Sequence, residues 1–137
     1  QTASGLTEVL NFSGYKPGYA YRLVEFQLYH STNIGTAHNE MVGSITAGKV
    51  AIAPTDVNFN DEGLIATALV NGHRDYDVGS LTVINDTFLI TQNLILMVQD
   101  TGGADAPVNW QCRFVAEKMS GPEEAVANYR QFTISDE

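Results

Sequence analysis

The chain has 137 residues, of which sixteen are acidic and seven basic, for a net charge of −9. That length suits one domain, spanning 1–137, able to bury roughly two-thirds of the surface its unfolded chain exposes. Its one cysteine, Cys112, excludes an intrachain disulfide. The basic residues (Lys16, Arg22, Lys49, Arg74, Arg113, Lys118, Arg130) stand singly, which argues against direct nucleic-acid binding and against an anionic membrane surface.

No apolar run approaches the roughly 18–20 residues needed to span a bilayer. The opening QTASGLTEVL has neither a basic nor an apolar region, so it does not read as an intact signal peptide.

In chain order, a short strand is expected near residues 6–12, then a loop punctuated by Gly14, Pro17 and Gly18. Residues 19–31 (YAYRLVEFQLYHS) form the first strong strand signal. Period-2 alternation places Val24, Phe26 and Leu28 on one face, with Arg22 and His30 at its ends. Tyr19, Tyr21, Leu23, Glu25, Gln27 and Tyr29 fall on the other, a tyrosine-rich face. Residues 32–39 read as a loop.

Residues 41–53 (MVGSITAGKVAIA) are interrupted by Gly43 and Gly48, which leaves one bulged strand or a hairpin. Residues 63–70 form an apolar strand, and Asn71-Gly72 after it is the strongest hairpin-turn signal in the chain. Residues 80–91 hold two β-rich runs split at Asn85-Asp86. Residues 93–100 (NLILMVQD) are apolar on both faces, as in a covered central strand.

Residues 108–119 alternate most cleanly, with Val108, Trp110, Cys112, Phe114 and Ala116 on the core side. Asn109, Gln111, Arg113 and Glu117 lie opposite. The period then changes. Ser120-Gly-Pro-Glu123 has capping-box spacing, and a short amphipathic helix is expected near 122–132. Val126, Tyr129 and Phe132 lie on its apolar side, with two acids at its start and Arg130 near its end.

The fold class is therefore all-β, an antiparallel β-sandwich or jelly roll of about eight strands with one C-terminal helix. Candidate chemistry fails at nameable positions. Asp56, Asn58 and Asn60 offer oxygen at alternate positions, as a calcium loop does. Asp61 and Thr67, however, stand where such a loop needs glycine and a bidentate acid. The same Asn and Asp residues suit turn chemistry.

The cluster His73-Arg74-Asp75-Tyr76-Asp77 follows the turn signal, where charges are normally solvated. His30, His38 and His73 are too scattered for zinc. Cys112 lies on an apolar face as a small hydrophobe. Asn11-Phe-Ser13 and Asn85-Asp-Thr87 match a glycosylation pattern that is short enough to arise by chance. No catalytic residue and no cofactor is expected.

The residues singled out for contact are Tyr19, Tyr21, Tyr29 and Arg113, because tyrosine combines large contact area with a polar tip. The long early strand, the doubly apolar strand at 93–100, the Gly-rich loop and the alternating strand at 108–119 together resemble small jelly-roll virion proteins. The resemblance implies a capsid or capsid-associated protein, located in the virion, that contacts copies of itself or other virion proteins. The basic arm by which such proteins often meet the genome is lacking here. The alternative expectation is a secreted carbohydrate- or receptor-binding module, assisted by calcium.

Overall fold

The computed structural model describes residues 1–12, 18–31, 39–48, 50–73, 76–102 and 105–135. Ser13, Gly14, Lys16, Pro17, His38, Lys49, Arg74 and Asp75 lie outside the described residues, as do the side chains of His73, Tyr76, Asp77 and Phe132.

Among the described residues seven strands precede one helix: β1 (Thr7–Leu10), β2 (Tyr19–His30), β3 (Asn39–Thr46), β4 (Leu64–His73), β5 (Tyr76–Ile84), β6 (Leu94–Asp100), β7 (Val108–Lys118) and α1 (Gly121–Ser135). Every pairing is antiparallel. Five strands join in the order β1-β6-β3-β4-β5, and β2 pairs with β7 in a second sheet. The all-β class expected from periodicity is therefore observed.

Both sheets feed one apolar cluster. It draws Leu23, Phe26 and Leu28 from β2, Met41 and Ile45 from β3, and Ala66, Ala68 and Val70 from β4. Leu94, Leu96 and Val98 come from β6, and Val108 from β7. The contact is closest at Gly43, where an added Cβ would lie 3.1 Å from the Phe26 ring and 3.2 Å from Leu28. That glycine exists so that β2 can cross β3.

It also explains why this segment looked weak. β3 is one strand with a register shift after Ile45, it stops at Thr46, and residues 41 to 46 are all buried. Its two buried hydroxyls are matched: Ser44 donates to the Ile52 carbonyl and Thr46 accepts from the Ile52 N–H.

Two expectations shift in detail. The β4–β5 reversal does not fall at Asn71-Gly72. The strand runs through it and pairs His73 with Tyr76, while the Asn71 side chain accepts the Gly79 N–H at 3.2 Å. The register slips by one residue between Asn71 and His73, with the extra residue on the β5 side. β6 is central, between β1 and β3, but only Leu94, Leu96 and Val98 are fully buried. Ile95 and Met97 are half-covered.

The helix corrects the sequence reading most. Its start is as expected, with the Ser120 hydroxyl accepting the Glu123 N–H and donating to the Glu123 carboxylate. Its buried face, however, is Ala127, Gln131 and Ile134, while Val126 and Tyr129 are 69% and 72% exposed. What lies beneath decides this. At one end Ala127 fits against Ala20, Met119 and Leu89.

At the other end the chain at 91–93 presents backbone groups to the helix. The Gln131 amide oxygen accepts the N–H groups of Thr91 at 2.8 Å and Gln92 at 3.0 Å, and its Nε2 donates to the Asn93 carbonyl. A polar side chain that bonds three backbone groups beneath the helix outcompetes an apolar one that would leave them unpaired. The helix also continues to Ser135, so Arg130 is not in its last turn. Arg130 lies instead over the Phe88 ring, 5.1 Å from the centroid.

Candidate interaction surfaces

The tyrosine face does not hold together. In the β2–β7 register Leu23 faces Phe114 and Glu25 faces Arg113, so Val24 is an unpaired bulge residue. A one-residue bulge reverses the alternation beyond it. Leu23 and Tyr21 therefore share the inner side with Phe26, Leu28 and His30, and match Phe114, Ala116, Cys112, Trp110 and Val108 across the ladder. Tyr21 packs on Phe12 with centroids 5.1 Å apart, and Phe12 packs edge-on to Phe114 at 4.7 Å. Tyr19 has the parity of Tyr21 and is partly exposed, whereas Tyr29 points outward and is 61% exposed. The three tyrosines are not one platform.

The outer face of β2–β7 is charged and polar instead. Arg113, expected as a contact residue, lies 3.4 Å from Glu25 on that face. Arg22 donates through Nε to Glu117 at 2.6 Å. That hydrogen bond holds the Glu117 carboxyl below the usual carboxylate range. Such exposed pairs set register more than they stabilise.

The acid-rich loop uses its side chains locally. Asn58 accepts the Asn60 N–H at 3.0 Å, and Asp61 accepts the Gly63 N–H at 3.2 Å. Both are Asx turns. Asn85 likewise accepts from the Thr87 amide and hydroxyl. Among the described residues no three His, Cys, Asp or Glu side chains cluster as metal ligands would.

Cys112 faces the core opposite Phe26, and burial pushes its thiol up to about 12, far from the thiolate that nucleophilic chemistry needs. His30 is 5% exposed, and neither ring nitrogen has a hydrogen-bond partner. Burial lowers its pKa, opposed by the nearby Asp100 charge. Asp100 is itself committed to the Gly102 and Ala106 N–H groups.

The surface that periodicity missed is apolar. On the outer face of the five-stranded sheet, Leu81 (67%) and Val83 (43%) are exposed, and Phe59 (66%) lines a shallow groove with them. A second groove runs between α1 and the 87–89 segment, floored by Leu89, Pro122, Val126 and Ala127. One signal was available in advance, the uncharged stretch GSLTVIN over residues 79–85, which combines β propensity with no gatekeeping charge. No family model, curated protein or solved structure matches this chain.

Proposed function

We propose that this protein is a non-enzymatic structural assembly protein that works by self-association, as a shell or capsid-associated component of a virion. The observation that carries the reading is the distribution of exposed apolar side chains. Leu81 and Val83 on β5 and Val126 on α1 are exposed on regular elements and line grooves of largely apolar lining, with the loop residue Phe59 beside the first two.

The topology supports a jelly-roll relationship in part. The nested antiparallel pairs β4–β5, β3–β6 and β2–β7 are those of a long hairpin wrapped on itself, while direct β3–β4 pairing departs from that plan. The assembly reading is favoured over a glycan-binding module because the bulge at Val24 divides the tyrosines that would have formed the sugar platform.

Sedimentation velocity from micromolar to millimolar concentration, with negative-stain imaging of the concentrated sample, tests the reading. Concentration-dependent dimers or larger assemblies are expected. A monomer throughout overturns it.

A further inference from the structure

We propose that β5 is the self-association edge, and that two copies pair antiparallel through it about a two-fold axis at Leu81, which joins their five-stranded sheets. This rests on the assembly reading above and names its interface.

β5 is the last strand of its sheet, with β4 on one side only. The Asn85 N–H donates to the Ile65 carbonyl at 2.8 Å, and the ladder alternates from there. Leu81 and Val83 therefore bond back to Leu69 and Thr67, while Ser80, Thr82 and Ile84 turn their amides and carbonyls to the open edge. The Thr82 hydroxyl reaches inward to the Phe26 carbonyl at 3.1 Å, which pins the strand from the core side.

The other edges carry the usual protection among the described residues. β1 is four residues long and holds Glu8. β7 is bridged by Thr2 at Val108 and carries Arg113, Glu117 and Lys118. β2 is bridged by Ile90 at Tyr21. β5 has neither charge nor bridge from Gly79 to Ile84.

Charge selects the partner. A chain with net charge −9 repels its own copies, so self-association must use a surface where no acids are brought together. Antiparallel pairing centred on Leu81 places Ser80 opposite the partner's Thr82 and Gly79 opposite the partner's Val83. It sets Asp77 against the partner's Asn85 and Tyr76 against the partner's Asp86, so no two acids oppose. A register centred one residue earlier would set Asp77 against the apolar Val83. The chosen register also merges the outer-face apolar strips, Val83 and Leu81 of each copy, with Phe59 alongside.

The test uses Leu81→Lys and Leu81→Glu, whose side chains are solvent-facing and whose folding is checked by circular dichroism. By sedimentation velocity, each variant alone is expected to weaken association by about tenfold or more, because like charges meet on the axis. An equimolar mixture of the two is expected to recover it. In the unmodified protein, hydrogen exchange at Ser80, Thr82 and Ile84 is expected to slow as concentration rises.

If the protein assembles but neither variant weakens it and those amides stay unprotected, the β5 interface is wrong and the assembly reading survives on another surface. A monomer at every concentration removes both.

Discussion

β3 and β5 lie two positions apart in the same sheet and invert the ordinary relation between polarity and burial. β3 buries Ser44 and Thr46 completely, while β5 leaves Leu81 and Val83 in solvent. The two faces of α1 repeat the inversion, with Gln131 fully buried and Val126 and Tyr129 outside. Burial here follows the availability of a partner. A polar group goes inside where backbone donors and acceptors wait for it, and an apolar group stays outside where the fold offers nothing to cover it. On the proposed pairing, the exposed side chains of β5 would be covered by a second copy.

The interior half of that comparison breaks most severely at Gln131. Gln131→Leu keeps volume and removes the acceptor for two N–H groups and the donor to the Asn93 carbonyl. With three hydrogen bonds lost at about 0.5–1.5 kcal/mol each, a loss of roughly 3 kcal/mol is expected in urea unfolding, with α1 detaching first. An unchanged midpoint would mean that the helix is held by Ala127 and Ile134 alone.

Gly43→Val tests the sheet crossing. A Cβ there meets Phe26 at 3.1 Å and Leu28 at 3.2 Å, so β2 must lift or both side chains must leave their rotamers. The expected cost is about 1–3 kcal/mol in the same assay. Restoring stability with Phe26→Leu in the Gly43→Val background would assign the cost to that contact.

His30 is the exception inside, a buried polar side chain with no hydrogen bond. Its pKa is lowered by burial, so the folded state holds it neutral while the unfolded chain protonates it near the ordinary value of about 6.5. The unfolded state then binds more protons below that pH, and stability is expected to be level above about pH 7 and to fall as the pH drops below about 6.5. His30→Phe should flatten the thermal-unfolding profile in that window. Parallel slopes in the two proteins would assign the pH dependence to other groups.

Much of this was legible beforehand, for physical reasons that can be located. Alternation of 108–118 and of 94–100 located β7 and β6 because neither strand contains a bulge. The same alternation misplaced Tyr21 and Leu23 because the slip at Val24 reverses parity without marking itself in composition. Gly43 disguised the most buried strand as a weak one, since the residue that permits the closest crossing is also the residue that dilutes β propensity. Val126 and Tyr129 were assigned inward because helical periodicity ranks side chains by hydropathy and has no access to the backbone groups of 91–93.

The open side of the comparison should respond least. At concentrations too low for association, Leu81→Ser removes little that folding buries, and its stability should stay within about 0.5 kcal/mol of the original. Concentration makes the difference. If β5 pairs with a second copy, the original protein gains thermal stability as it is concentrated, because association draws on the folded state alone. Leu81→Ser should lose that dependence while keeping the dilute value. A variant that melts early even when dilute would place Leu81 in the monomer's own core, and the contrast between β3 and β5 would collapse.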